Sequence, residues 1–225
     1  GKNNMHEVKG AIFDMDGTVA DTLASIAGFG NAALKAHGYP EIETERYRQL
    51  VGNGADVLMR RMLETAKAGQ PYSEDEVQAL RATYDALYES DPTRLVAPYP
   101  GIPALLRAVR EAGVKTAVLS NKPDNMTCFI ADALFPGLFD IVHGQRTGVP
   151  KKPDPAAVFE ICDALGVQPA QCLYVGDSGV DMQTGANAGV PTAGVTWGFR
   201  GAEELRQNGT DHLVDSAEAL GRLIL

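Results

Sequence analysis

The stretch GAIFDMDGTVADT, Gly10 to Thr22, places the carboxylates Asp14 and Asp16 two residues apart, directly after an apolar run and directly before Gly17. Like charges at the end of a buried strand repel each other, and burial adds to the cost of keeping both ionised. We therefore expect such a pair where a cation joins it or where one carboxyl group keeps a proton. Taken alone, the stretch is also compatible with a plain acidic turn, because Asp and Gly commonly end strands.

The composition narrows the classes of partner. With 225 residues, of which 44% are hydrophobic, the chain can bury a sizeable core in one large domain or in a domain with an insertion. A net charge of -9 leaves no broad basic surface, so we expect neither nucleic acid nor membrane as a partner. Any anionic substrate must then meet a local positive site. The N-terminus lacks the layout of a signal peptide, and no apolar segment approaches the roughly 20 residues of a membrane helix, so we expect a cytoplasmic protein.

Short β-rich runs recur along the chain, and most are apolar at nearly every position. They lie at residues 8–14, 114–120, 139–144, 172–177, 191–198 and 211–216. Continuous apolar runs are typical of parallel strands covered on both faces. Helical patterns that begin near Pro and end at Gly separate several of these runs, for example at residues 102–113 and 154–166. The alternation predicts a doubly wound, mostly parallel, Rossmann-like α/β sheet.

The interval between the first and second predicted strands is helical. It contains no convincing strand, and Ser73 and Glu76 form a capping-box pattern before an apolar stripe at helical spacing. An insertion of this size is large enough for an all-helical cap domain. We therefore predict a core of residues 5–20 plus 97–225 and a cap of residues 21–96. Residues 1–4 precede Met5 and are interpreted as a remnant of expression.

Polar residues collect at the predicted carboxyl ends of four strands, where ligands of open α/β sheets bind. They are Asp14, Asp16, Gly17 and Thr18 after the first strand, Ser120, Asn121 and Lys122 after the second, Lys151 and Lys152 after the third, and Asp177 and Asp181 after the fourth. Carboxylates, hydroxyls, an amide and a lysine suit Mg²⁺ and a phosphoryl group. Each residue also has a structural alternative: Ser120 could cap a turn, the lysines could be solvated, and Asp181 could be the N-cap of a helix.

Four segments in order, FDMDGTVADT (13–22), LSNK (119–122), KKPDP (151–155) and GDSGVDMQTGANAG (176–189), resemble the four motifs of the haloacid dehalogenase superfamily. The resemblance implies an Mg²⁺-dependent phosphatase that hydrolyses a small phosphomonoester through an aspartyl-phosphate. In the dehalogenases of the superfamily the position of Asp16 lacks this acid, so the resemblance favours phosphoryl transfer over dehalogenation.

The resemblance also implies a role for each motif residue. Asp14 is the nucleophile and a metal ligand, and Asp16 is the general acid and base whose backbone carbonyl binds the metal. Lys152 joins Asp14 to the phosphate. The phosphoryl group is bound by Ser120 and Asn121, with Thr18 nearby and with Gly17 allowing a close backbone approach. Asp177 completes the metal site. Asp181 either binds the metal itself or holds a residue that does.

Within the superfamily, residues 50–63, the NKP that follows the second strand and the GVTWG that follows the fifth are similar to phosphoglycolate phosphatases. The expected substrate is then 2-phosphoglycolate, whose carboxylate needs an anion-binding group in the cap. Candidates are Arg46, Arg48, Arg60 and Arg61, or the backbone N–H groups of Gly52, Asn53 and Gly54. A β-phosphoglucomutase-like mutase, a pyrophosphatase, a broad phosphatase and a receiver-like signalling protein remain alternatives. We expect a monomer or a homodimer.

Overall fold

A computed structural model of the chain describes residues 7–225, so the interpretation of residues 1–4 lies outside the described residues. The strands are β1 Gly10–Phe13, β2 Ala20–Asp21, β3 Ala97–Pro98, β4 Lys115–Pro123, β5 Ile141–Gln145, β6 Cys172–Gly176, β7 Thr192–Val195 and β8 His212–Val214. The α-helices are α1 Leu23–Ala36, α2 Ala55–Ala66, α3 Glu74–Ser90, α4 Ile102–Glu111, α5 Asp124–Leu134, α6 Ala156–Leu165, α7 Gly179–Ala188, α8 Ala202–Gln207 and α9 Ala217–Ile224. Two short 3-10 helices span Thr44–Gln49 and Pro169–Gln171.

The predicted parallel sheet is confirmed. Six strands pair in the order β5-β4-β1-β6-β7-β8, and every pairing is parallel. The central strand β1 aligns Phe13 with Val118 of β4 on one side and with Val175 of β6 on the other. Because the three strands run in the same direction and in this register, the residues that follow them meet at one edge of the sheet. Asp14 and the ends of β4 and β6 are thereby brought together.

Both faces of the sheet are covered, which explains the continuous apolar character of the strands. Successive side chains of a strand point to opposite faces. Accordingly Ala11 and Phe13 belong to one buried cluster, whereas Ile12 between them belongs to a second cluster, with Ile161 of α6 and Tyr174 of β6. None of the helices in the described part of the chain combines the length and the hydrophobicity needed to cross a membrane.

The segment between β2 and β3 is helical, as predicted. The capping box at the start of α3 is present: the Glu76 backbone N–H donates to Ser73 Oγ at 3.1 Å, and the Ser73 N–H donates to Glu76 Oε1 at 3.2 Å. Helices α1 and α3 pack through Phe29 and Tyr88, whose ring centroids lie 4.8 Å apart.

The chain enters and leaves the helical insertion through an antiparallel ribbon. Strand β2 pairs with β3, Ala20 opposite Pro98 and Asp21 opposite Ala97. The sequence analysis did not predict this ribbon, because two residues are too few to show a strand period. The ribbon fixes where the insertion meets the sheet.

Packing of the core around the sheet is tested by Leu106 of α4, which is fully buried. We expect Leu106→Ala to lower the free energy of unfolding by about 2–5 kcal/mol, because it removes buried methyl groups and leaves a cavity. The matched control is Leu95→Ala, since Leu95 is 63% exposed and its truncation is expected to cost about 0.5 kcal/mol or less. Urea unfolding followed by circular dichroism measures both. Equal losses in the two variants would contradict this placement of the core.

Candidate active site

A cavity of about 200 Å³ lies between the carboxyl edge of the sheet and the helical insertion. Its lining includes seven of the residues to which the sequence analysis gave a site role, namely Asp14, Asp16, Ser120, Asn121, Asp177, Gly52 and Gly54. Residues from sequence positions more than 100 apart therefore share one space. The other predicted site residues, Gly17, Thr18, Asn53, Lys152 and Asp181, do not line the cavity, and several of them support residues that do.

Lys152 lies beneath the cavity, in contact with two carboxylates. Its Nζ is 3.2 Å from Asp14 Oδ1 and 2.9 Å from Asp181 Oδ1, and it also donates to the Leu119 carbonyl at 3.0 Å. Only 3% of the lysine is exposed, so the alternative of a solvated side chain is wrong for Lys152. Burial opposes its charge, but Asp14 and Asp181 outweigh that effect and raise the pKa of Lys152 well above its ordinary value. The ammonium is therefore permanently charged beside Asp14.

Asp181 is saturated with hydrogen bonds from the protein. Oδ1 accepts from Lys152 and from the Tyr174 hydroxyl at 3.2 Å. Oδ2 accepts from the N–H groups of Asp177 and Ser178, at 3.1 and 3.3 Å, and from Ser178 Oγ at 3.1 Å. The N-cap of α7 is Ser178, and Asp181 occupies the third helical position, so the alternative of Asp181 as N-cap is wrong. This arrangement suits Asp181 to positioning Lys152 and the loop after β6.

The carboxylates at this edge carry more negative charge than the protein neutralises. Asp14, Asp177 and Asp181 each offer an oxygen within 4.8 Å of the others. Lys152 forms salt bridges with Asp14 and Asp181, and among residues 7–225 no cation lies within salt-bridge distance of Asp177. Burial first, and then the charge of Asp181, raise the pKa of Asp14 well above its usual range and that of Asp177 to about 7. A divalent cation would supply the missing charge, and carboxylate oxygens are the ligands that Mg²⁺ prefers. The donor set therefore fits Mg²⁺ held by Asp14 and Asp177.

Asp177 fits only because two neighbouring residues have no side chain. A Cβ on Gly17 would lie 2.0 Å from Asp177 Oδ2, and one on Gly198 would lie 2.3 Å from Asp177 Cβ. The carboxylate accepts from the Phe199 N–H at 2.8 Å and from Thr18 Oγ1 at 3.4 Å. In this structure Gly17 and Thr18 thus support Asp177. Their predicted contact with a phosphoryl group stays a prediction.

Asp16 is held by Thr22 and lies beside Lys122, which the sequence analysis placed at this edge of the sheet without giving it a role. Asp16 Oδ1 accepts from Thr22 Oγ1 at 2.7 Å and lies 3.4 Å from Lys122 Nζ. Lys122 in turn contacts the Tyr88 hydroxyl at 2.6 Å and sits over the Tyr88 ring. Strand β4 extends to Pro123, three residues past its predicted end, which places Lys122 within the site. The signal in the sequence that could have given Lys122 a role in the site was its position directly after Ser120 and Asn121.

The turn at Gly52 to Gly54 is held by side chains of the sheet domain. Asn121 Nδ2 donates to the Gly52 carbonyl at 3.2 Å, and Lys151 Nζ donates to the Asn53 carbonyl. Asn121 also binds the backbone of Lys152 through its own amide, so its side chain is occupied by protein groups here. What Asn121 offers a substrate therefore stays a prediction.

The cap arginines proposed for anion binding do not line the cavity. Arg60 pairs with Glu74, and Arg61 donates to the Leu50 carbonyl and to Asn53 Oδ1. Arg46 and Arg48 are likewise absent from the cavity wall, and anion binding by these four arginines stays a prediction. The arginines that do line it are Arg81 of α3 and Arg200, which follows β7. Arg200 also donates to the Val51 carbonyl at 2.9 Å.

The charge imbalance predicts a pH-dependent effect of magnesium on stability. Asp177 has a pKa of about 7 in the folded, metal-free protein and near 4 when unfolded. Between those values the folded state holds a proton that the unfolded state does not, so the free energy of unfolding falls as pH rises. Mg²⁺ held by the ionised carboxylate would offset that loss. We expect MgCl₂ to raise Tm more at about pH 8 than at about pH 5, as measured by scanning calorimetry.

Asp177→Asn is the matched variant for this experiment. It removes the buried charge, so we expect a smaller Mg²⁺ effect on Tm and a weaker pH dependence without metal. An equal Mg²⁺ effect at both pH values, or an unchanged effect in Asp177→Asn, would contradict the assignment of Asp177 to the metal.

Comparison with known proteins agrees with this geometry. The family model described as haloacid dehalogenase-like hydrolase matches residues 11–195. A phosphoglycolate phosphatase of Vibrio vulnificus is 32% identical over 97% of both chains, and an N-acetylmuramic acid 6-phosphate phosphatase of Pseudomonas aeruginosa is 32% identical over 95% of this chain and 93% of its own. A crystal structure from Lactobacillus delbrueckii, 33% identical over 97% of this chain and 99% of its own, superposes with a TM-score of 0.93. The family resemblance drawn from the four motifs is confirmed: the chain belongs to the haloacid dehalogenase-like hydrolase family.

Proposed function

We propose that this protein is an Mg²⁺-dependent phosphatase that hydrolyses small phosphomonoesters through an aspartyl-phosphate on Asp14, with 2-phosphoglycolate as its substrate. The observation that carries the proposal is the placement of Asp14, which lines the cavity while a buried ammonium, Lys152 Nζ, lies 3.2 Å from its carboxylate. The names of the relatives from Vibrio and Pseudomonas support a phosphatase of small phosphoesters.

In the first step, Asp14 attacks phosphorus, the bond from phosphorus to the ester oxygen breaks, and the phosphoryl group passes to the carboxylate. Asp14 Oδ1 accepts from the Met15 N–H at 2.7 Å as well as from Lys152, and these two donors fix the orientation of the nucleophile. Lys152 stabilises the negative charge on the phosphoryl oxygens in the transition state. A bound Mg²⁺, held by Asp14 and Asp177, supplies further positive charge to the same oxygens.

Asp16 serves both halves of the reaction. It gives a proton to the departing alkoxide and then takes one from the water that hydrolyses the aspartyl-phosphate, which releases phosphate and restores Asp14. Its carboxylate lines the same cavity as Asp14 and accepts a hydrogen bond from Thr22, which fixes its orientation. Lys122, 3.4 Å away, keeps positive charge beside it in both steps.

We also propose that residues 21–96 act as a cap domain that opens and closes over the core of residues 5–20 and 97–225. The chemistry requires water to be excluded during attack and admitted for hydrolysis. Two features support this motion. The ribbon of β2 and β3 is only two residues long, and the turn at Gly52 to Gly54 accepts hydrogen bonds from Asn121 and Lys151 of the core.

A phosphorylated sugar acid is a second candidate substrate. Asp85 and Glu89 of α3 line the cavity beyond Tyr88, and carboxylates accept hydrogen bonds from sugar hydroxyls. The name of the Pseudomonas aeruginosa relative points to the same chemistry.

The candidate substrates and the alternative functions are distinguished by measuring phosphate release with Mg²⁺ from a panel of phosphoesters. The panel contains 2-phosphoglycolate, a sugar 6-phosphate, β-glucose 1-phosphate and pyrophosphate. The largest kcat/KM identifies the substrate, strong stimulation by a sugar bisphosphate identifies a mutase, and a long-lived phosphorylated protein without turnover identifies a receiver-like protein.

We expect Asp14→Asn to lower kcat by about a thousandfold or more, because the amide cannot form the aspartyl-phosphate. The far-ultraviolet circular dichroism spectrum is expected to stay unchanged, which separates loss of the nucleophile from loss of the fold. Retained turnover in this variant would refute the assignment of Asp14.

We expect Asp16→Ala to lower kcat by about 100- to 10,000-fold with an alkyl phosphate, whose alkoxide needs a proton to depart. With nitrophenyl phosphate, which leaves readily without protonation, the loss is expected to be much smaller in single-turnover measurements. The same loss with both substrates would contradict the general-acid role of Asp16.

A further inference from the structure

A second cavity, of about 230 Å³, adjoins the active-site cavity and has a different chemical character. We call it the basic cavity. It is lined by Gly54, Ala55, Asp56 and Arg81 of the helical insertion and by Pro123, Gln145, Arg146, Thr147 and Lys151 of the core. Three of these residues are cationic and one is a carboxylate. In a chain with a net charge of -9, such a local excess of positive charge is unusual and favours an anionic ligand.

Lys151 and Arg146 each have N–H groups that the other described residues do not use. Lys151 Nζ donates to the Asn53 carbonyl, but among residues 7–225 no carboxylate lies within salt-bridge distance of it. The terminal nitrogens of Arg146 pair with Glu160, while its buried Nε has no hydrogen-bond partner in the described part of the chain. Each terminal nitrogen of Arg146 carries a second N–H, which can donate to an oxyanion in the cavity. Arg81, in contrast, is neutralised by Asp56 and Asp85.

The basic cavity and the active-site cavity share a wall. Gly54, Ala55, Arg81 and Pro123 line both of them. Gly54 stands between the two: a Cβ placed on it would lie 3.7 Å from the Asn121 carbonyl oxygen and 3.7 Å from Lys151 Nζ. One glycine therefore separates Asn121, beside Asp14 and Asp16 in the active-site cavity, from the ammonium of the basic cavity. The positive end of the α2 dipole, at Ala55, lies at this shared wall.

We propose that the basic cavity binds a second anionic group of the substrate, a carboxylate or a phosphate, while the phosphoryl group to be transferred lies at Asp14. This inference rests on the proposed phosphatase function and names its substrate class, phosphomonoesters that carry a second acidic group. Lys151 and Arg146 bind that group, and the substrate spans the boundary at Gly54, where the two cavities adjoin. Because the wall of the basic cavity combines residues of the insertion with Lys151 and Arg146 of the core, the site is complete only when the insertion covers the sheet.

The test compares Lys151→Gln and Arg146→Gln with Arg206→Gln, which makes the same charge change on the exposed face of α8, away from both cavities. Each protein is assayed with 2-phosphoglycolate and with ethyl phosphate, which has similar size and no carboxylate. We expect each of the two variants to raise KM for 2-phosphoglycolate by about tenfold with kcat little changed, since a lost charged hydrogen bond weakens binding by about that factor. KM for ethyl phosphate is expected to change less than about twofold, and Arg206→Gln is expected to change neither.

Other results would overturn the proposal. Equal increases of KM for the two substrates would show that Lys151 and Arg146 act only through the turn at Gly54. The effect of added sulfate on ethyl phosphate hydrolysis is measured in the same proteins. If the variants lose that effect while KM for 2-phosphoglycolate stays constant, the basic cavity binds a free anion and no part of the substrate.

A binding measurement separates this inference from the proposed function. In the Asp14→Asn background, calorimetry gives Kd for 2-phosphoglycolate and for ethyl phosphate without turnover. If the wild-type protein released no phosphate from any ester, the proposed function would fail, but a loss of 2-phosphoglycolate affinity on Lys151→Gln would still support the basic cavity. Unchanged affinity in both variants would refute it.

Discussion

The contact of the buried Lys152 ammonium with Asp14 and Asp181 is the interaction on which the rest of the site depends. Taking three charged groups out of water is costly, and the arrangement is tolerable only because the charges meet directly and the remaining lone pairs are filled. Asp181, which is 1% exposed, accepts five hydrogen bonds, and Lys152 donates three. Because Asp181 is held in this way, Lys152 is fixed in a position from which its ammonium donates a hydrogen bond to Asp14. The Asp14 carboxylate is therefore oriented before any substrate arrives.

Space around the carboxylates is a second constraint, and glycines satisfy it. Gly17 and Gly198 leave room for Asp177, as described above, and Gly176 does the same for Asp181, because a Cβ on Gly176 would lie 2.2 Å from Asp181 Cβ. Of these three, Gly17 also has a positive φ of 85°, which other residues adopt only at a cost. The glycines of the first and fourth motifs therefore serve the packing of acids against backbone. Any side chain at these positions would move a carboxylate and disturb the charge balance with Lys152.

Three polar contacts between the helical insertion and the core end on backbone carbonyls of the insertion. Asn121, Lys151 and Arg200 donate to the carbonyls of Gly52, Asn53 and Val51, respectively. Carbonyl acceptors are present whatever the side chain, so these contacts hold the turn in place while leaving its side chains free to differ. Lys122 adds a link of another kind, because it contacts Asp16 of the core and Tyr88 of α3 together. The position of α3 and the position of Asp16 are linked through this one lysine.

Much of the molecule could be read from local sequence pattern. Periodicity distinguished the buried parallel strands from the amphipathic helices, and parallel strands necessarily bring their carboxyl ends to one edge, so Asp14, Ser120, Lys152 and Asp177 could be grouped without a structure. The capping box of α3 was visible as Ser73 and Glu76, because it depends on residues three apart. These features follow from short-range geometry, which the order of residues specifies directly.

The closure of the insertion onto the sheet was decided only in three dimensions. Sequence analysis chose Arg46, Arg48, Arg60 and Arg61 as anion-binding candidates, whereas packing of α3 over the cavity places Arg81 there. The ribbon of β2 and β3, the last residues of β4 and the basic cavity likewise arise from contacts between distant segments. The reason is physical: a periodic pattern reveals which face of a helix is buried, but the neighbour that buries it, and the cavity left between them, depend on how separate elements pack.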